Sequence, residues 1–553
     1  MRSILVSYAG YPYTFNSLMP DNGLANLAGA LLRAGHETLI LDYGTVENLR
    51  RTMPKEISSQ AKRVFASMAS KLKAGEGLGE EERRSVARLE SELAEAGKRR
   101  CAEVCEELYR EIERFKPHFL GFKLWNGDGF SGSIKIAEKV KARYKNVKVF
   151  GGGPHVDVFG ENIYRATDVF DCVAYAEGEG TILQLAEFAQ GKRQLHDVNN
   201  VIFKSGSSTI HRTPTSRISD LNTLALPCYE ESVYPSMRGN SKIKILVLDE
   251  SRGCRFACHF CIHPLKSGRG LRCKSAKRIV EEMRRATDRT GSRAFRYAGS
   301  STPPDLAKET ADLIVREGLD VKYTGFGNFI DAVPDYMPVL AESGCRSLAF
   351  GMESGSERIL KKAMGKPIKL KRMSEVFEAT KRARIFTVVA VIFPAPFETK
   401  ESEAETLAFI RDVRPDSVSV LFPAVYPGTR WAAEKERFGF AFDEMEYVDA
   451  VMMAKAKLLF PMDFWDDLPY SLSGRNFRGI VNETARLTGI LERDGILTSL
   501  TDDFVLMALL GGYAGQERKL RDLGRLWFFT GDVEGIEGFV EEVNANATVP
   551  RPE

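Results

Sequence analysis

A loop with three closely spaced cysteines follows a strongly apolar segment near the middle of this chain. Residues 243–248 (Ile-Lys-Ile-Leu-Val-Leu) have the composition of a buried strand, and Cys254, Cys258 and Cys261 follow with the spacing Cys-x3-Cys-x2-Cys. Three thiolates can bind three irons of a four-iron cluster and leave the fourth iron without a protein ligand. That open iron can take a bidentate small molecule, just as catalytic metals keep a free position.

A structural zinc site is the alternative interpretation of these cysteines. His259, His263 or Cys273 would then be the fourth ligand, because closed zinc sites are tetrahedral. The position of the loop argues for the cluster. It follows the first strand of a repeated strand and helix pattern, and active sites of βα barrels lie in loops at the carboxyl ends of strands.

The front of the chain alternates short apolar runs with helical segments, which is typical of a parallel α/β sheet. A charged, helical insertion separates the second run from the third. We interpret it as an α-hairpin broken at Gly75 to Gly79 that covers the sheet, and not as a partner-binding coiled coil, because its apolar stripe is short. The apolar runs are residues 3–8, 38–42, 118–124, 147–151 and 172–175.

These patterns predict an α/β chain with three folded parts. Residues 1–190 form a Rossmann-like, doubly wound domain that contains the helical insertion at 50–115. Residues 191–240 are a linker with short β-like pieces. A partial (β/α) TIM-like barrel follows at 241–440, and a helical region occupies 441–553.

Composition limits the classes of function. The net charge is only +3 and the cations are spread among carboxylates, so no nucleic-acid surface is expected. No apolar stretch is long enough to span a membrane, and the first residues do not resemble a signal peptide. The nine cysteines do not form a disulfide framework. We therefore predict a cytoplasmic protein with reduced thiols.

The cysteine spacing, with the aromatic Phe260 before the last cysteine, resembles that of the radical S-adenosylmethionine (SAM) superfamily. The resemblance implies that Cys254, Cys258 and Cys261 hold a [4Fe-4S] cluster and that SAM chelates the open iron. Reductive cleavage of SAM would give a 5′-deoxyadenosyl radical that removes hydrogen from an unactivated carbon. A low-potential electron donor such as flavodoxin or ferredoxin is implied as well.

Further segments along the barrel carry the same resemblance. Arg296-Tyr-Ala-Gly299-Ser-Ser301 ends the second barrel strand, and Gly351-Met-Glu353-Ser354-Gly355 is similar to the Gly-x-Glu-Ser-Gly segment of the family. The segment Phe393-Pro-Ala-Pro-Phe-Glu398-Thr399 departs from the usual Gly-x-Pro-Gly-Glu-Thr. The resemblance implies these SAM-binding residues: Phe260, Gly299, Ser300, Ser301, Glu353 and Ser354.

Residues 1–190, apart from the insertion, resemble the cobalamin-binding domains that precede the barrel in one radical-SAM subclass. Glycines at carboxyl strand ends let the backbone approach a large ligand at the switch point of a sheet. A single Gly-rich turn would be ordinary βα turn chemistry, but four segments match in order. The residues implied to bind cobalamin are Asn22, Gly23, Leu24, Leu120, Gly121, Gly151, Gly152, Gly153, His155, Glu177, Gly178 and Glu179.

The sequence lacks the Asp-x-His-x-x-Gly motif through which other cobalamin proteins supply a histidine to cobalt, and His155 lies in a different local pattern. We therefore expect cobalt to lack a strong lower ligand.

The resemblance favours C-methylation at an unactivated carbon of a small-molecule or lipid-like substrate. Three alternatives stay open. The same cofactors could serve cyclisation, ring rearrangement or carbon–carbon bond formation without methyl transfer. Methylthio transfer would need three cluster cysteines in the front domain, and Cys101, Cys105 and Cys172 are not so arranged. A non-catalytic iron–sulfur or corrinoid sensor would not need SAM-type segments. The sequence identifies no catalytic acid or base.

Overall fold

Two seven-stranded sheets with helices packed on them form the frame of the molecule, which confirms the predicted α/β class. The computed structural model describes residues 1–73, 79–206, 209–455, 460 and 464–549. Apolar side chains from both sheets belong to one continuous core, so the two sheets are packed into a single body. None of the helices in these ranges is long and apolar enough to cross a membrane.

The first sheet has the strand order β2-β1-β3-β4-β5-β6-β7. Its first five strands run parallel. Strand β6 pairs antiparallel with β5, and β7 pairs antiparallel with β6 and forms one edge of the sheet. The five predicted runs therefore form the parallel part of the sheet, and the segment predicted as a linker adds an antiparallel hairpin to β5. The strands are β1 (Arg2–Ser7), β2 (Glu37–Asp42), β3 (Phe119–Lys123), β4 (Lys148–Gly152), β5 (Cys172–Ala174), β6 (Val201–Ser205) and β7 (Thr209–Arg212).

Chain order reverses between β1 and β3, so ligands of this sheet are expected at the carboxyl ends of these strands. Helix α1 begins there, and the Leu24 N–H donates to the Asp21 side chain at 2.9 Å, which caps the helix. The helices are α1 (Asn22–Arg33), α2 (Val46–Thr52), α3 (Lys55–Lys73), α4 (Glu80–Phe115), α5 (Asp128–Arg143), α6 (Pro154–Phe159), α7 (Ile163–Ala166) and α8 (Gly178–Ala189).

The insertion consists of α3 and α4, and only its second half covers the sheet. Cys101 and Leu108, in the second half of α4, pack in the core beneath the first sheet. Helix α3 and the first half of α4 pack instead on the C-terminal region, in a cluster that includes Ile57 and Phe529. Residues 74–78, which span most of the predicted break, lie outside the described residues.

The second sheet is parallel and open, with the order β19-β15-β14-β13-β12-β11-β8, as a partial barrel requires. Its last strand comes from the C-terminal region. The remaining short strands form one hairpin beside the cysteines and a small antiparallel sheet. The strands are β8 (Ile245–Leu248), β9 (Ser251–Arg252), β10 (Arg272–Cys273), β11 (Ala294–Tyr297), β12 (Lys322–Gly327), β13 (Cys345–Glu353), β14 (Phe386–Ile392), β15 (Ser417–Leu421), β16 (Phe440–Ala441), β17 (Ser471–Leu472), β18 (Arg475–Asn476) and β19 (Leu497–Thr498).

Helices cover the outer face of the barrel strands and form most of the C-terminal region. They are α9 (His263–Ser267), α10 (Ala276–Thr290), α11 (Pro304–Arg316), α12 (Met337–Glu342), α13 (Glu357–Lys362), α14 (Leu370–Ala383), α15 (Lys400–Val413), α16 (Arg430–Ala433), α17 (Glu444–Met453), α18 (Phe477–Arg493), α19 (Asp502–Leu510), α20 (Glu517–Thr530) and α21 (Val533–Ala547).

The C-terminal region is bound to both sheets. Val448 and Met452 of α17 pack in the core of the first domain. Helix α19 packs on β12 and β13, where Arg296 holds Asp502 by two contacts of 3.0 Å, and Asp503 lies 3.5 Å from the same guanidinium. This region therefore stabilises the barrel as a part of it.

Replacing Arg296 by methionine is expected to lower the free energy of unfolding by about 3 kcal/mol, because it leaves two adjacent buried carboxylates without their cation. Burial and the neighbouring Asp503 already raise the pKa of Asp502. The destabilisation caused by Arg296→Met should therefore become smaller as the pH falls, because the Asp502 carboxyl then takes up a proton and loses its charge. Unfolding by denaturant at each pH measures the free energy of unfolding of the variant and of the unmodified protein. Arg289→Met, which removes an exposed pair with Glu230, is the control and should change stability by less than about 1 kcal/mol.

Candidate active site

A cavity of about 350 Å³ lies where the carboxyl ends of the first sheet face the cysteine loop of the barrel. Its first wall is built from the turns after β3, β4 and β5 and from the start of α1. Its second wall includes Arg252 and Gly253 next to the cysteines, and Ser300 after β11. The chamber is therefore shared by the two regions in which the sequence predicts cofactors.

Most of the residues predicted to bind cobalamin line this cavity. They are Asn22, Gly23, Leu24, Gly121, Gly151, Gly152, Gly153, Glu177, Gly178 and Glu179.

Sequence reasoning missed other wall residues, among them Lys123, Asp157 and Tyr175. Lys123 ends β3 and Tyr175 directly follows β5, while Asp157 lies within α6, the helix that follows β4. Strand-end position was the signal that could have found Lys123 and Tyr175.

Leu120 and His155 are not in the cavity wall. The Leu120 side chain is completely buried in the core beneath the sheet. The His155 ring packs between Phe130 and Phe159, with ring centres 4.3 and 4.7 Å away. Burial lowers the pKa of His155 to about 4, and its Nε2 has no hydrogen-bond partner among the described residues. The imidazole is therefore a neutral group of the core.

The glycine turns suit a broad, flat ligand. Gly153 has φ of +110°, a conformation that side chains rarely adopt, so the turn from β4 into α6 requires glycine. Gly152 can carry a Cβ without a close contact, since its nearest neighbours would be 3.5 and 3.7 Å away. Its lack of a side chain therefore leaves open space in the cavity wall that a corrin can use.

Cys254, Cys258 and Cys261 lie together, partly exposed, between β9 and the first turn of α9. Burial raises the pKa of Cys258 to about 12 and also raises that of Cys261, while Lys366 acts in the opposite direction on both. Cys254 and Cys261 also raise the pKa of Cys258, and Cys254 raises that of Cys261, as neighbouring thiols in one loop should. A set of three soft sulfur ligands suits an iron–sulfur cluster.

His259 is engaged elsewhere and does not complete a zinc site. Its Nδ1 lies 3.1 Å from the Ala363 carbonyl, and its Nε2 lies 2.9 Å from the guanidinium of Arg430. Because arginine can only donate, Nε2 accepts and Nδ1–H donates to the carbonyl. Within the described ranges, no three His, Cys, Asp or Glu side chains surround a position for a single metal ion.

Gly299 brings the predicted SAM loop directly against the cysteine loop. Its N–H donates to Glu250 Oε2 at 2.9 Å, and Ser300 Oγ donates to the Gly253 carbonyl at 2.8 Å. A Cβ on Gly299 would lie 2.1 Å from both Glu250 Oε1 and Ser251 Oγ. Glu250 is completely buried, and burial raises the pKa of its carboxyl. Only glycine fits this contact between the two loops.

The other predicted SAM residues have defined contacts outside the cavity wall. Glu353 has φ of +65°, and its Oε1 lies 3.2 Å from Lys366 Nζ. Ser354 Oγ lies 3.1 Å from Thr406 Oγ1, and both are buried. The Phe260 ring lies 5.5 Å from that of Trp431, and the Ser301 carbonyl lies 3.5 Å from Ser251 Oγ. Of the six, Ser300 alone appears in the cavity wall formed by the described residues.

Replacing Gly299 by alanine should lower the rate of SAM cleavage by about a hundredfold, because the loop, or the buried Glu250 and Ser251 side chains that contact it, must move by about an ångström. SAM cleavage by the reconstituted protein measures the effect. Gly270→Ala is the matched control, since its Cβ would meet nothing within 4 Å. Equal rates in the two variants would contradict this account of the loop.

Comparison with known families accounts for both domains. The family model of the radical SAM superfamily matches residues 251–410, and that of the B12 binding domain matches residues 87–186. The chain therefore contains a B12-binding domain followed by a radical SAM domain. Together these domains imply a [4Fe-4S] cluster, SAM and cobalamin, and the glycine-lined cavity and the three thiols fit those groups.

Individual proteins resemble the chain over much of its length. An uncharacterized methyltransferase of Pyrococcus horikoshii is 25% identical over 327 residues, which are 59% of this chain and 70% of that protein. The radical SAM methyltransferase TsrM from Kitasatospora setae, solved with cobalamin and a [4Fe-4S] cluster, covers 95% of this chain and 98% of its own, with a TM-score of 0.67 and 14% identity. The cobalamin-dependent SAM radical enzyme OxsB covers 96% and 71%, with a TM-score of 0.57 and 12% identity. At these identities the two structures show a shared fold.

Proposed function

We propose that this protein is a cobalamin- and SAM-dependent C-methyltransferase that acts on an unactivated carbon. The observation that carries the proposal is the single cavity whose walls come from the glycine turns of the B12-binding domain and from the cysteine and Ser300 loops of the radical SAM domain. A methyl carrier and a radical source would thus face the same chamber. When bound, the cluster with SAM supplies the radical and the corrin carries the methyl group.

The residues of the chain bind, orient and shield. Cys254, Cys258 and Cys261 would hold the cluster, and the Gly299 turn fixes the distance of the SAM loop from it. Gly151, Gly152 and Gly153 would leave room for the corrin. The relative at 25% identity named as a methyltransferase and the fold shared with TsrM support methyl transfer.

A radical rearrangement or cyclisation without methyl transfer is the second candidate. The likeness to OxsB favours it, because that protein is described as a cobalamin-dependent SAM radical enzyme and not as a methyltransferase. Methylthio transfer has less support. Cys172 lies in one buried core and Cys101 and Cys105 lie in another, so these thiols do not form a second cluster site in the described structure.

Product analysis tests the proposal. The reconstituted protein is incubated with SAM that carries a deuterated methyl group, a low-potential reductant, and fractions of small metabolites and lipids. Methyl transfer predicts labelled product together with both S-adenosylhomocysteine and 5′-deoxyadenosine. A product formed with 5′-deoxyadenosine but without label or S-adenosylhomocysteine would contradict methylation and support the second candidate.

A further inference from the structure

We propose that Arg252 is a positioning residue that sets the separation between the corrin and the cluster by clamping the turns of the first domain to the cysteine loop. The inference rests on the proposed function, since it assigns a role to the wall between the two cofactor sites. Arg252 belongs to β9 and stands two residues before Cys254. It therefore moves with the loop that would hold the cluster.

The Arg252 guanidinium makes a bidentate contact with Glu179 of the first domain. Its Nη2 lies 2.5 Å from Glu179 Oε1, and its Nη1 lies 3.1 Å from Glu179 Oε2. Nη2 also lies 2.9 Å from Asp249 Oδ2, at the end of the first barrel strand. The side chains of Arg252, Glu179 and Asp249 are 13%, 10% and 15% exposed, so water screens these contacts little.

A second set of contacts joins the same two regions. Arg272, in the strand paired with β9, lies 2.6 Å from Glu177 Oε1, while the Ile218 N–H donates to Glu177 Oε2 at 2.7 Å. Asn22, at the start of α1, donates to Asp249 at 3.0 Å. The turn that opens α8 is thus bound to the hairpin of β9 and β10, and the turn that opens α1 is bound to Asp249, just before this hairpin.

These contacts change the role of three residues predicted to bind cobalamin. The Glu179 carboxylate accepts hydrogen bonds from Arg252, and the Asn22 amide donates to Asp249. The Glu177 carboxylate is paired with Arg272 and accepts from the Ile218 N–H through Oε2. Their side chains hold the cavity walls together, and what they leave to a corrin is mainly the backbone of the turns. Glycines Gly178 and Gly23, beside them, line the cavity as well.

Stability alone does not account for this network. Buried ion pairs are often no more stable than apolar residues of the same volume, so a domain interface does not need them. A planar guanidinium bound at two points, however, fixes direction as well as distance. It lies in the wall between the two predicted cofactors, where a shift of one ångström can change a reaction rate about a hundredfold.

The test compares Arg252→Lys with Arg278→Lys in the full chain, reconstituted with iron, sulfide and hydroxocobalamin. Lysine keeps the charge at position 252 but loses the bidentate contact. Arg278 is a matched control, because it is similarly buried and also bonds a carboxylate, Glu282, but lies outside the cavity wall. Pulsed electron-spin-resonance distances between cob(II)alamin and the reduced cluster are measured in each protein.

The proposal predicts a narrow distance distribution in the unmodified protein and in Arg278→Lys, and a broadened or shifted one in Arg252→Lys. It also predicts that the ratio of methyl transfer to SAM cleavage falls about tenfold in Arg252→Lys only. Should Arg252→Lys lose a cofactor, Glu179→Gln, which weakens the same contact from the other side, replaces it. If the variant at this contact gives the same distance distribution as the unmodified protein, Arg252 does not set the separation between the two cofactors and the proposal is wrong. Failure of the unmodified protein to bind corrin instead overturns the proposed function.

Discussion

Replacing Cys258 by alanine is expected to reduce the iron content of the reconstituted protein from about four atoms per chain to almost none. The reason is that two of the three thiolates cannot hold the cluster, and SAM then has no iron to chelate. SAM cleavage should fall to the level measured without protein, while the fold persists, because Cys258 is partly exposed and lies outside the apolar cores. Iron and sulfide assays with circular dichroism measure both effects.

Cys273→Ala provides the control. Cys273 is also partly exposed and lies in the hairpin strand beside the same loop, but it is not one of the three spaced cysteines. We expect it to keep full iron content and SAM cleavage. An equal loss of iron in both variants would make Cys273 a fourth ligand and would contradict a cluster with one open iron.

Replacing Gly152 by leucine is expected to weaken corrin binding by about ten- to a hundredfold, because the new side chain would occupy the cavity. The backbone tolerates the change, since a Cβ at this position meets no atom closer than 3.5 Å. Gly180→Ala, in α8 but outside the cavity wall, has open space around its Cβ and should bind corrin normally. The corrin absorption retained after gel filtration compares the two.

Unaltered corrin binding in Gly152→Leu would contradict the assignment of the cavity. It would leave the cluster and SAM assignments untouched, because these depend on the other wall.

Local sequence predicted the parts of the site that depend on spacing within one loop. The three cysteines and the turn at Gly151 to Gly153 are of this kind, because neighbouring residues at a strand end must meet at one edge of the sheet. The fold class was also predictable, since the alternation of apolar runs and helices reports a parallel sheet directly.

Contacts between distant segments were not predictable. His155 lies in the first turn of α6, directly after the glycine turn, but it packs on Phe130 of α5. The carboxylate of Glu179 meets Arg252 only because the two domains pack face to face, 73 residues apart in the chain. The edge strand β19 consists of two residues and carries no periodic pattern of its own.

The central claim is that one chain holds an iron–sulfur cluster and a corrin on facing walls of one cavity. Iron, sulfide and corrin contents after anaerobic reconstitution with hydroxocobalamin, followed by SAM cleavage under a low-potential reductant, test it most directly. The account predicts about four irons and one corrin per chain and formation of 5′-deoxyadenosine. A protein that takes up the cluster and cleaves SAM but binds no corrin would contradict it.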